Sequence, residues 1–154
     1  MPAQRLKEFL DDNQVKYITI MHSPAHTSQE IAASAHIPGR EMAKTVMVMI
    51  DNQIAMAVLP APSFVDIAKL AAALGVQEAG LCSEDEFKDA FPGCDVGAMP
   101  PLGNLFGMDV FVDEALTRDD EIAFNAGSFH ELIRMAYADF ERLVKPKVCA
   151  FAID

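Results

Sequence analysis

The sequence predicts an α/β fold of α+β character, a single domain over residues 1–154 built on a mixed sheet. Three observations carry this. The chain has 154 residues, a length that suits one domain with one core. Of these residues 51% are apolar, enough to build that core and too many for a disordered chain. Short runs that read as strands interleave irregularly with short helical stretches, and several neighbouring runs are hairpin-like, unlike the strict alternation of a doubly wound sheet.

In chain order, Gln4 to Asn13 reads as a helix, with Leu6, Phe9 and Leu10 on one face and charges between them. Val15 to Met21 is rich in β-branched and aromatic residues and reads as a strand. His22-Ser23-Pro24-Ala25-His26 is then a loop, and Thr27 with Glu30 forms a capping box for a short helix that ends near Ile37-Pro38-Gly39. Met42 to Ile50 and Ile54 to Leu59 are apolar runs around Asp51-Asn52-Gln53, a hairpin. Ser63 with Asp66 starts a helix to about Leu74, and Gly75 stops it. Val76 to Leu81 reads as a short strand. Ser83 with Glu86 is a second capping box, heading a helix to about Phe91 that Pro92-Gly93 ends. Asp109 to Asp113, Glu121 to Asn125, Leu132 to Met135 and Val148 to Ile153 read as strands, Gly127-Ser128 as a turn, and Tyr137 to Leu143 as a short helix.

Composition narrows the function. The formal net charge is −11, which disfavours broad binding to nucleic acid and leaves room only for a local basic spot; no DNA partner is expected. No apolar run reaches the length of a membrane span, and the start lacks the apolar segment of a signal peptide, so no membrane and a cytoplasmic location are expected. Cys82, Cys94 and Cys149 are odd in number, widely spaced and free of zinc spacing; they read as packed thiols, with a catalytic Cys94 as the rival reading. His22 and His26 are four apart, but Pro24 between them breaks the helix that would let them share a metal. No metal and no cofactor are expected: phosphate-binding loop, dinucleotide fingerprint and nucleophile elbow are all missing from the sequence.

Two features carry candidate chemistry. Lys44 enters an apolar strand, where its charge either snorkels to the strand's end or faces a phosphate, a carboxylate or a developing oxyanion, with Arg40 nearby. The stretch Val96-Gly97-Ala98-Met99-Pro100-Pro101-Leu102-Gly103 is either an ordinary connector or a stiff row of N–H donors that can hold a carbonyl or oxyanion. With the prolines excluded, its donors are Gly97, Ala98 and Met99, then Leu102 and Gly103. His26, Thr27 and Ser28 can supply polar contacts at a helix start, and His130 is either a proton carrier or a surface histidine.

In order along the chain, His22-Ser23-Pro24-Ala25-His26-Thr27, Ala43-Lys44-Thr45-Val46, Gly97-Ala98-Met99-Pro100-Pro101-Leu102-Gly103 and Asn125-Ala126-Gly127-Ser128 resemble the pattern of the YbaK / prolyl-tRNA-synthetase-associated domain family of trans-editing aminoacyl-tRNA deacylases. The resemblance covers nearly the whole chain. It implies a strongly curved mixed sheet with helices packed around it. It also implies hydrolysis of the ester that joins a wrong amino acid to the 3′ end of a tRNA, with that acceptor end as partner. The acidic charge fits either a protein that grips only the acceptor end or one that borrows tRNA affinity from a synthetase or elongation factor. Under the resemblance, Lys44 anchors the substrate and the N–H groups of Gly97, Ala98 and Met99 hold the carbonyl. His26, Thr27, Met47, Pro101, Gly103, Gly127, Ser128 and His130 line the substrate, with Thr27, Met47, Met99 and His130 limiting the side chain that fits. An aminoacyl ester is already activated, so water attack needs only positioning and oxyanion stabilisation. Pro100 is a departure from the pattern, since a second proline removes a donor mid-loop. A noncatalytic module that binds an aminoacyl or tRNA end is the rival reading of the same residues.

Overall fold

The computed structural model describes residues 2–21 and 37–154. The loop at His22 to His26 and the helix expected from Thr27 lie outside the described residues. Among those described, four α-helices and ten strands form three sheets, a mixed α/β arrangement.

Helix α1 (Pro2–Asp12) buries Leu6 and Leu10, as its periodicity predicts. Strand β1 (Tyr17–Met21) pairs antiparallel with β8 (Glu131–Ala136), which pairs antiparallel with β7 (Glu121–Asn125); these make the first sheet. The second sheet has five strands in the order β5-β2-β3-β6-β9: Ala79–Leu81, Ala43–Ile50, Gln53–Pro60, Val110–Asp113 and Lys147–Cys149. Its β2–β3 hairpin turns at Asp51 and Asn52, both at positive φ (48° and 66°), a conformation that short polar side chains tolerate. β3, β6 and β9 run parallel to one another. Instead of the one sheet expected, the two sheets meet in a single isolated parallel bridge, Met42 to Ala123.

Of the boundaries that differ from the sequence reading, two have a plain hydrogen-bonding reason; the strand expected over Val76 to Leu81 covers only Ala79–Leu81, and the helix expected to about Phe91 stops at Phe87. Helix α2 (Ile67–Leu74) is capped by Asp66, whose carboxylate accepts from the Lys69 N–H at 3.1 Å, and it ends at Gly75 in the left-handed region. Ser63 lies in the preceding turn, and Phe64–Val65 forms strand β4. The C-terminal run also divides. Asp113, 4% exposed, accepts from the Phe151 and Ala152 N–H groups, both at 2.9 Å. The chain therefore leaves β9 and forms β10 (Ala152–Ile153) against β4 in a separate two-stranded sheet. The Ser83–Glu86 capping box heads α3 (Glu84–Phe87), followed by a 3₁₀ turn at Lys88–Ala90. Helix α4 covers Tyr137–Val144. No described helix is long and apolar enough to cross a membrane.

Candidate functional site at the seam between two sheets

Alternation along β2 decides where Lys44 points. Ala43 and Met47 enter the main core, while Val46, Val48 and Ile50 pack on the opposite face. Lys44 belongs to the second face, as does Met42. On β7, Ile122 and Phe124 enter the main core, while Ala123 packs with Met42 in a second cluster that includes Leu132 and Phe129. Asn125 has the parity of Ala123. The Met42–Ala123 bridge is parallel, so two residues further along each chain, on the same face, stand Lys44 and Asn125.

Both are chemically unspent. Lys44 is half-buried on its strand, and no carboxylate among the described residues pairs with it; burial alone lowers its pKa from the ordinary lysine value. Its ammonium lies 5.0 Å from the centre of the Phe64 ring. Asn125 is 5% exposed, and its buried Oδ1 has no hydrogen-bond partner among the described residues. An unsatisfied buried carbonyl oxygen costs about 1–3 kcal/mol, so Oδ1 is open to a donor from water or from a ligand.

The Gly97–Gly103 loop is fastened to this seam through Gly127. The Asp95 N–H donates to Gly127 O and the Gly127 N–H to Ala98 O, both at 2.9 Å. Between them the chain makes a tight turn in which the Ala98 N–H donates to Asp95 O at 3.0 Å. Gly97 sits at the third turn position with φ 90°, as a type II turn demands. The Asp95 carboxylate accepts from the Phe129 N–H at 3.3 Å, and the Phe129 ring lies where a Cβ on Gly97 would meet it at 3.4 Å.

This geometry shortens the donor row expected from sequence. The Ala98 N–H is spent on the turn. The Gly97 N–H donates to the thioether of Met99 at 3.2 Å, a weak acceptor that a ligand oxygen can displace. The Met99 N–H has no partner among the described residues. Gly103 is glycine for an internal reason: a Cβ there would lie 2.5 Å from Met108 O and 2.6 Å from Val110 Cγ2. Pro101 and Gly103 are buried behind the loop, whereas Met47 and Met99 meet in the main core. Gly127 is part of the seam, Ser128 Oγ accepts from the His130 N–H at 3.3 Å, and His130 is exposed at the rim. His26 and Thr27 lie outside the described residues.

The thiol reading loses ground. Burial and then the neighbouring Asp95 push the Cys94 pKa up, away from a reactive thiolate. The sequence marks Asn125 only as part of the Asn125-Ala126-Gly127-Ser128 turn and gives no sign that its Oδ1 lacks a partner among the described residues; nothing in the sequence marks Phe64, whose ring meets Lys44.

Known proteins point the same way. The family profile described as the aminoacyl-tRNA editing domain matches residues 22–143. The chain is 36% identical over 101 residues to the Multifunctional Ser/Thr-tRNA deacylase ProXp-y of Escherichia coli K12, a match that spans 65% of this chain and 60% of that protein. A solved structure described as a candidate trans-editing enzyme for prolyl-tRNA synthetase superposes with a TM-score of 0.82 at 18% identity, over 99% of this chain and 98% of that one. Hypothetical protein APE2540 superposes with a TM-score of 0.85 at 18% identity, over 96% of this chain and 99% of that one. At such identities these two likenesses speak to the fold.

Proposed function

Because the chain belongs to the aminoacyl-tRNA editing domain family, we propose that the seam binds the 3′ end of an aminoacylated tRNA and hydrolyses its ester. The observation that carries this reading is the placement, two residues beyond the parallel Met42–Ala123 bridge and on one face, of a lysine with no carboxylate partner and a buried carboxamide oxygen with no hydrogen-bond partner among the described residues. In the first part of the loop beside them, the Met99 N–H has no partner among the described residues and the Gly97 N–H is loosely held by a thioether.

In this mechanism Lys44 holds the terminal phosphate, which fixes the ester over the loop. The ester carbonyl oxygen faces the Met99 N–H, and the Gly97 N–H turns from the thioether to the same oxygen as charge develops. Water, oriented by the neighbouring ribose hydroxyl and by backbone carbonyls, attacks the carbonyl carbon. The bond from that carbon to the ribose oxygen breaks, and the ribose oxygen takes up the proton the water gives up. Free amino acid and tRNA with an intact 3′ hydroxyl are the products. Asn125 Oδ1 accepts from the α-ammonium of the aminoacyl group. His130 bounds the space for its side chain at the rim and Gly127 and Ser128 frame the loop, whereas Met47 and the Met99 side chain are turned into the main core, away from the face that carries Lys44, and the roles expected of His26 and Thr27 fall outside the described residues. The reaction is placed in the cytoplasm, with a synthetase or elongation factor supplying tRNA affinity that an acidic protein lacks.

A panel of mischarged tRNAs tests the reading, led by seryl- and threonyl-tRNA because the Escherichia coli relative is named for them. Release of the amino acid from at least one member, lost in Lys44→Ala with the fold retained, is the expected result. If the full panel stays charged while the chain still binds tRNA, the protein is a binding module and the hydrolytic reading fails.

A further inference from the structure

Phe64 is 62% exposed, yet its backbone is firmly held. It pairs with Ile153 across β4 and β10, and just beyond it the Asp66 N–H donates to Phe151 O at 2.8 Å. One side of its ring carries the Lys44 ammonium, 5.0 Å from the ring centre, leaving much of the remaining ring surface open to solvent. Scattered exposed apolar side chains need no explanation. An exposed, backbone-anchored aromatic ring beside a cation that no described carboxylate pairs does, because together they match a nucleotide: the ammonium meets a phosphate and the ring face meets a base.

We propose that Phe64 is a positioning residue, a stacking platform for the unpaired 3′-terminal base of the tRNA, working with Lys44 on the adjoining phosphate. This deepens the deacylase reading and rests on it for the identity of the ligand. Stacking on an aromatic face is tolerant of base identity and suits an unpaired end presented by many different tRNAs. A strongly acidic protein gains grip on RNA this way without adding net positive charge.

The test uses an uncharged acceptor-stem RNA whose 3′-terminal base is 2-aminopurine, a fluorophore quenched by stacking, titrated with the wild-type protein, Phe64→Ala, Phe64→Leu and Phe64→Tyr. Quenching by wild type and Phe64→Tyr is expected, with binding about tenfold weaker and quenching lost in Phe64→Ala and Phe64→Leu. An RNA lacking the terminal base should bind the wild type about as weakly as the intact end binds Phe64→Ala. On mischarged tRNA, Phe64→Ala should raise KM by about the same factor and leave kcat nearly unchanged. The ring is exposed, so melting temperatures should be alike across the set. No quenching by wild type, or Phe64→Leu matching wild type, overturns the platform. Quenching without hydrolysis of any mischarged tRNA leaves the platform standing and sinks the deacylase reading; hydrolysis indifferent to Phe64→Ala does the reverse.

Discussion

Lys44 shows how a single residue records a conflict between folding and function. An ammonium half-withdrawn from water, without a carboxylate partner among the described residues, opposes stability, and burial lowers its pKa accordingly. Above that lowered pKa the folded chain has released a proton that the unfolded chain still holds, so this site's cost to stability shrinks as pH rises. Its capacity to hold a phosphate vanishes over the same interval. The alkaline limb of kcat/KM is therefore expected below the ordinary lysine range, moving upward in Lys44→Arg. Lys44→Met should lose activity by about two orders of magnitude and melt no lower than wild type. A methionine variant that keeps its activity would remove the lysine from the mechanism. Gly97 makes a second residue-scale case. At φ 90° any side chain is strained, and Gly97→Ala should lower stability by about 1–3 kcal/mol and slow deacylation by moving the Met99 N–H. Equal urea midpoints for the two proteins would contradict this.

Helix α4 begins at Tyr137, whose hydroxyl is buried with no hydrogen-bond partner among the described residues. Burial, and after it the charge of Glu141, pushes the phenol up to about 12. Its folded-state pKa lies above the unfolded value of 10.0, so between these values the unfolded chain gives up the proton while the folded chain keeps it. The phenol's contribution is complete below the unfolded pKa and drains away as pH rises toward about 12. Melting temperature should fall over that interval, and less steeply in Tyr137→Phe, which should also be at least as stable at neutral pH because it removes an unsatisfied polar atom. Identical alkaline profiles for the two proteins would refute the assignment. The described helices were legible in sequence because their signals are local. The Ser83–Glu86 box forms as written and Gly75 caps α2. The start of α2 was misplaced because Ser63 and Asp66 are both acceptable caps, and the pairing of Phe64–Val65 with the far end of the chain selects Asp66.

Across the whole molecule, Asp113 ties the C-terminal segment to the five-stranded sheet. Its two carboxylate oxygens accept from Phe151, Ala152 and Ala115, each at 2.9 Å. Asp113→Ala strands three donors and should cost about 3 kcal/mol. Because β10 backs β4, the same change should loosen Phe64 and raise KM for tRNA, which chemical denaturation and steady-state kinetics would register separately. A denaturation midpoint equal to wild type would show that the carboxylate does not hold the segment.

The sequence by itself determined most of the described elements, the hairpin, the caps at Ser83 and Gly75 and the two stretches around which the site is built, because apolar period, capping and the proline and glycine positions of the loop act over a few residues. It also carried the family, since the lysine, the loop and the Asn125-Ala126-Gly127 turn appear in order along the chain. Only the tertiary structure decided which groups meet and which remain free. Every residue but proline carries the same N–H, so nothing in Gly97-Ala98-Met99 says that Ala98 spends its donor on Asp95 while Met99 does not. Nor does local pattern announce that Met42 bridges Ala123, the long-range contact that puts Lys44 and Asn125 on one face.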